Sequence, residues 1–300
     1  MSQGARVVAT MTLMLLLAGC QQQAGTIAGK RVVQFASTKA DLFGVPAEFR
    51  ALHIGLEKCL DSPVAFSAQP NGMAIGMQLA QGNIPFAILT ASEYALIEDP
   101  SKLTLVACAV NEMGKTTRRG HIVVKANSHL KTISDCAGKR FAFGKHKDLL
   151  TDYGARAALA KAGVPSDKLL PELVPTTVAL PIEGRLYCGD SVPGLVVWDL
   201  TINAGVIDEV AFNKLPETGG NPITGVSRDQ FEIVGETAEI PEMVVVAGPS
   251  ADPAMVAKLG AYLLNGAKED GALCKQLGIK GFAAADRSMY ESARELVPHS

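Results

Sequence analysis

The sequence predicts an α/β protein, with largely parallel sheets covered by helices. Three observations carry that prediction. The chain has 300 residues, 48% hydrophobic and 19% charged, enough for a sizeable core in one large or two medium domains. Its 29 Gly and 16 Pro call for many loops between short elements. Short strand-like runs alternate with helical runs, the order that lays parallel strands under crossover helices.

Taken in order, residues 31–36 read as a strand and 37–44 as a loop. Residues 46–60 carry Phe49, Leu52, Leu56 and Leu60 at helical spacing. A strand is expected at 63–66, a short helix at 72–81, a buried strand at 86–89, a helix opening at Ser92 and a strand at 103–110. The middle repeats the theme. Residues 121–125 and 140–144 read as strands, and 133–138 as a helical turn closed by Gly138. Asp148 or Thr151 caps a helix to Ala162, which Gly163 stops. Beyond it we expect a buried strand at 195–198, a weak helix at 204–215, a loop at 217–228 and strands at 231–235 and 243–247. Helices are expected at 252–266, 268–277 and 286–296.

The N-terminus sets the expected compartment. Arg6 precedes an apolar run over residues 7–17, too short for the ~20 residues of a membrane span and fit for a secretory signal. The run ends in Leu17-Ala18-Gly19-Cys20, which resembles a bacterial lipobox. That resemblance implies cleavage before Cys20 and lipid on its thiol. The polar stretch 21–25 then serves as a tether. The expected mature protein is extracytoplasmic, periplasmic and membrane-anchored through Cys20.

Five further cysteines, Cys59, Cys108, Cys136, Cys188 and Cys274, show no Cys-x-x-Cys spacing and sit mostly among apolar neighbours. They read as buried small hydrophobes; a disulfide is permitted in that compartment but not indicated. Lys plus Arg number 28 against 30 Asp plus Glu, without the basic footprint of a nucleic-acid binder. The histidines at 53, 121, 129, 146 and 299 form no His-x-x-x-His or His-Glu-x-x-His pair. No Gly-x-Ser-x-Gly elbow, Gly-x-Gly-x-x-Gly run or Walker loop occurs. The reading is a protein that is not an enzyme and has no metal or cofactor.

Three segments carry a family resemblance. Residues 122–143 hold Ile133-Ser134-Asp135-Cys136-Ala137-Gly138-Lys139-Arg140-Phe141-Ala142-Phe143 after a strand and Ser128. Residues 82–94 run from Gly82 through Ile88-Leu89-Thr90-Ala91 to Tyr94. Leu277-Gly278-Ile279-Lys280-Gly281-Phe282 leads on to Asp286, Tyr290 and Arg294-Glu295-Leu296-Val297. In this order they resemble the substrate-binding proteins of phosphate, phosphite and phosphonate ABC transporters. The resemblance implies a two-lobed periplasmic binding protein fold with two hinge strands, whose lobes close on a small solute. It implies a signal at 1–19, a tether at 20–29, a first lobe from 30–118 and 202–300, and a second lobe from 119–201. A membrane permease is the implied partner, and a small anion the implied ligand. A sensor or a degenerate binding scaffold without a transport partner is the alternative.

In that family a run of hydroxyls opens the helix after the Phe-Ala-Phe strand and holds the anion with backbone N–H groups. Here the run falls on Asp148-Leu149-Leu150-Thr151. Thr151 remains, two positions are leucine, and Asp148 would compete with an anion for the same N–H groups. Lys145 and His146, just upstream with Lys147, could bind an anion instead, or form a solvated loop with Asp148 as an ordinary cap. Thr90 and Ser92 stand where a strand gives way to a helix, the place where open α/β sheets bind ligands. Thr38, after the first strand, is placed likewise. Tyr94 matches the family's Tyr, and is either a ligand contact or a core aromatic. Asp199, beside the lone Trp198, would suit a ligand amine or hydroxyl, or cap its own turn.

Overall fold

The computed structural model describes residues 26–27, 29–39, 47–170, 180–182, 185–222 and 224–298. The lipobox and Cys20 lie outside the described residues.

A short ribbon, β1 (Thr26–Ile27) with β2 (Lys30–Arg31), precedes the first sheet. The buried run Val33–Ser37 forms β3, followed by α1 (Arg50–Leu60), which lays Leu52, Leu56 and Leu60 on the core at helical spacing. Then come β4 (Val64–Ala68), α2 (Gly72–Ala80), β5 (Phe86–Leu89), α3 (Ala91–Ala95) and β6 (Thr104–Asn111). Asn71 starts α2 by accepting the Ala74 amide at 2.9 Å. The chain crosses over through β7 (Thr117–Arg118) to β8 (Gly120–Lys125), β9 (Phe141–Phe143), α4 (Ala155–Lys161), β10 (Leu180–Ile182), β11 (Arg185–Tyr187), α5 (Val192–Trp198), β12 (Ala204–Asp208), α6 (Glu209–Lys214) and β13 (Phe231–Glu236). It returns through β14 (Ile240–Pro241) to β15 (Val244–Ala247), α7 (Pro253–Ala261), α8 (Gly271–Leu277), β16 (Ile279–Ala283) and α9 (Arg287–Arg294).

Two six-stranded sheets result, ordered β16-β6-β15-β5-β3-β4 and β10-β11-β9-β12-β8-β13. Each carries apolar clusters on its two faces. Between them β7 and β14 pair antiparallel, Ile240 opposite Arg118 and Pro241 opposite Thr117. This is the expected two-lobed fold with two hinge strands.

Four expectations are corrected. The sheets are mixed rather than mainly parallel: in each, two strand pairings are parallel and three antiparallel. The chain enters the second sheet at Gly120, but it does not return near Thr201. β12 and β13 belong to the second sheet, so the chain re-enters the first lobe only past β14, and residues 204–236 move to the second lobe. The cause is the short buried run Ala204-Gly205-Val206-Ile207, bounded by Asn203 and Asp208, which forms a central strand instead of a weak helix. Gly205 suits that place, because a Cβ there would meet Val192 and Val196 at under 3 Å. Finally, residues 195–198 end a helix, opened by Pro193 in its first turn, rather than form a strand.

Charges tie the crossing together. Arg118 donates to Glu242 Oε1 at 2.9 Å and to Asp208 Oδ2 at 2.7 Å, with a further bond to Glu242 Oε2. Asn111 Nδ2 also donates to Glu242 Oε1, at 2.8 Å. Arg119 pairs with both Glu236 and Glu239.

Candidate functional site

On the first lobe, the adjacent parallel strands β3 and β5 end side by side. Thr90 follows β5 in extended conformation and caps α3: its hydroxyl accepts the Glu93 amide at 3.2 Å, and its own amide donates to Glu93 Oε2 at 2.7 Å. Thr38, beyond β3, donates its hydroxyl to Glu93 Oε1. Glu93 thus joins the two predicted threonines.

On the second lobe, β9 runs into Gly144, a three-residue loop and Asp148. A widened π-helical turn, Leu149–Gly154, then leads into α4. Asp148 Oδ1 accepts the amides of Leu150 at 3.0 Å and Thr151 at 2.8 Å, and the Thr151 hydroxyl at 2.8 Å. A negative group is favoured there by the dipoles of the first turn. Gly144 leaves room for this arrangement, since a Cβ would fall 2.2 Å from Thr151 Oγ1.

The two sides meet. Ser92 donates its hydroxyl to Asp148 Oδ2 at 3.0 Å and accepts the Leu149 amide at 2.9 Å. Beside this contact, Leu149 and Leu150 of the second lobe share an apolar cluster with Ala91, Ala95 and Ala293 of the first lobe and Ile240 of the hinge. Ser92 and Thr151, predicted separately, therefore converge on one carboxylate. Donors from both lobes surround a single pair of anionic oxygens.

The loop between Gly144 and Asp148 exposes all three of its residues, and its contacts differ. Lys145 and Lys147 are exposed, with Lys145 Nζ 3.9 Å from Asp190 Oδ1. Lys147 holds φ at 63° and its amide donates to Asp152 Oδ2 at 2.7 Å. His146 lies edge-on to Tyr187 with ring centres 4.7 Å apart and Nδ1 3.4 Å from Asp152 Oδ2. Asp152 is fully buried; Arg156 Nε at 2.6 Å and the Tyr187 hydroxyl at 3.2 Å donate to its Oδ1. Burial, with Asp152 alongside, pushes the Tyr187 phenol up to about 12. This cluster anchors the loop to the second lobe.

Two predicted residues are not brought to this place. Tyr94 is fully buried in the first lobe, its ring 5.1 Å from that of Tyr290 and its hydroxyl donating to Glu291 Oε1 at 3.1 Å. Burial first, then the Glu291 charge, pushes its phenol up to about 12. On α3 it sits two residues past Ser92, on another face of the helix, and so packs against α9 as a core aromatic. Asp199 ends α5, where its carboxylate accepts the amide and hydroxyl of Thr201 at 2.8 and 2.7 Å. It is a local cap. Trp198 beside it is 60% exposed and donates to the Thr224 carbonyl at 3.0 Å.

The sequence reading passed over Glu93, although Thr90-x-x-Glu93 is a capping-box pattern that could have found it. Asp148 is expected there as an ordinary cap or as a competitor for the anion, and nothing local in the sequence reveals that Ser92 lies across from it. Among the described residues, no group of three His, Cys, Asp or Glu side chains could hold a metal ion. No helix among them is long and apolar enough to cross a membrane.

Against known proteins, the model of the ABC transporter phosphonate periplasmic substrate-binding protein family matches residues 45–290, and the chain belongs to that family. No curated protein matches it in sequence. Among solved structures, a Xanthomonas citri protein bound to chloride ion is similar, with a TM-score of 0.66 at 18% identity, over 88% of this chain and 95% of that one. PhnD1 from Prochlorococcus marinus in complex with methylphosphonate gives a TM-score of 0.62 at 15% identity, over 88% and 96%. A binding-protein component of a phosphonate ABC transporter from Pseudomonas aeruginosa gives 0.60 at 14%, over 89% and 85%. These likenesses show the fold. The family is one of extracytoplasmic solute-binding proteins, not enzymes, that work with a membrane permease.

Proposed function

We propose, from membership of this family, that the protein is the lipid-anchored solute-binding component of an ABC importer and takes a small phosphonate- or phosphate-like oxyanion between its lobes. One observation carries the ligand class: hydroxyls of Ser92 and Thr151, one from each lobe, and the amides of Leu150 and Thr151 converge on an anionic oxygen pair. A solute seated there touches both lobes, which is what favours closure. Thr38 and Thr90 hold the facing helix start through Glu93.

A second reading, a binding scaffold without a transported solute, is favoured by the same carboxylate, because Asp148 already fills the anion's place.

A thermal-shift screen of phosphate, phosphite, phosphonates, sulfonates and amines tests the ligand class. A ligand at 100 times its Kd adds ~2.7 kcal/mol of stability, a visible shift. A hit among phosphorus oxyanions supports the importer reading with this ligand class. A hit only among amines removes the oxyanion. No stabilisation across the panel favours the scaffold. The anchor is checked separately: labelled fatty acid should enter the wild-type chain in cells and not Cys20→Ala.

A further inference from the structure

Asp148 does more than end a loop. An ordinary N-cap keeps its carboxylate within its own helix, as Asp286 does with the amide and hydroxyl of Ser288. Asp148 gives one oxygen to its helix and the other to a hydroxyl of the opposite lobe. That hydroxyl returns a bond by accepting the Leu149 amide, so Ser92 is tied twice to the second lobe. An independent observation points the same way. Leu149 and Leu150 are 1% and 5% exposed, in a cluster that draws on both lobes and the hinge. Opening the lobes would put that apolar surface in water.

We infer that Asp148 is an internal anion that latches the lobes shut in the absence of solute, so that a solute loads by displacing this carboxylate. The inference rests on the proposed oxyanion site and adds its regulation. An intramolecular carboxylate competes at high effective concentration, so a free anion must outbid it and its apparent affinity falls accordingly. The donors that would hold the solute are the ones Asp148 uses: the Ser92 and Thr151 hydroxyls and the Leu150 and Thr151 amides. The receptor therefore rests closed, rather than open.

Small-angle scattering of the full chain tests this, with inorganic phosphate as the probe. The wild type should show a compact radius of gyration that phosphate leaves unchanged. Ser92→Ala removes the bond across the lobes while leaving the helix cap in place, and should expand the protein. Asp148→Asn, which loses the charge, should expand it too, and phosphate should draw it back. Circular dichroism reports whether Asp148→Asn keeps its helix; if it does not, Ser92→Ala decides alone. A wild type that contracts on adding phosphate rests open, and the latch is overturned. A Ser92→Ala radius equal to wild type overturns it as well. Expansion of Ser92→Ala, with phosphate acting on no form, leaves the latch standing and removes the oxyanion ligand instead.

Discussion

The lobes are joined at the hinge and touch at the cleft, and the two contacts hold by different physics. At the hinge, Arg118 reaches Glu242 beyond β14 and Asp208 at the end of β12. At the cleft, Leu149 and Leu150 pack among alanines beside a single polar latch. The hinge ion pairs hold strands that covalent connection already keeps close. The cleft contact exists only while the lobes are shut. Losses at the hinge should therefore appear as loss of fold, and losses at the cleft mainly as a change in shape.

The largest effect is expected at Arg118. Its partner Glu242 has a side chain only 2% exposed, so Arg118→Ala strands a buried carboxylate. Breaking a buried pair on one side costs about 3–5 kcal/mol. Urea unfolding should show that loss, and a change below about 1 kcal/mol would remove the hinge from its place as the stronger joint. Leu149→Ala should come next. It empties space in the apolar seal, for which about 2–5 kcal/mol is typical when the site cannot collapse. Because the seal spans two lobes that can part, we expect a smaller equilibrium loss than that, together with an expanded radius of gyration. A full loss with an unchanged radius would show that the seal is ordinary core.

The same contrast marks what the sequence could reveal. Strands with uniform apolar character, such as Phe86-Ala87-Ile88-Leu89, were legible to the residue, because a buried strand needs nothing beyond its own side chains. Residues 195–198 and 204–208 were misread, since short apolar runs suit helix and strand alike and tertiary pairing decides between them. The strand-to-helix junction around Thr90 and Ser92 was legible, although the helix expected to open at Ser92 is capped by Thr90. The pairing of Ser92 with Asp148 was not, because the two are 56 residues apart and on different lobes. The two leucines that replace the family's hydroxyls were visible as a departure, but their partners, Ala91, Ala95 and Ala293, give no signal of their own.

Thr90→Ala sharpens the comparison from the first-lobe side. It removes the cap of α3, worth about 1 kcal/mol, and deprives Glu93 of half its capping box. The loss should appear in urea unfolding with no expansion, since the capping bonds of Thr90 run to Glu93 of its own helix. Expansion equal to that of Ser92→Ala would mean that α3 itself, rather than its Ser92 contact, controls closure.

The smallest effect is a dependence on pH at the hinge end of β8. His121 is buried there, its ring edge-on to Phe212 at 5.3 Å and Nδ1 3.4 Å from Glu236 Oε1. Burial dominates and holds its pKa below the ordinary 6.5, although Glu236, Glu209 and Asp208 pull it up while Arg119 opposes them. The unfolded chain then takes up the proton more readily than the folded one. Stability contributed by the neutral ring is thus fully present above about pH 6.5 and is lost as pH falls through the lowered folded value. Glu239 also has a depressed pKa, chiefly because Arg119 hydrogen-bonds its carboxylate, with Thr117 adding a second bond. Its contribution is present above its ordinary 4.5 and lost only below that. The two windows separate. Unfolding free energies measured from pH 7.5 down to 5 should decline in the wild type and flatten in His121→Gln, while Glu239→Gln should leave that range unchanged. A decline that persists in His121→Gln would assign the upper window to another group and take His121 out of the hinge's acid response.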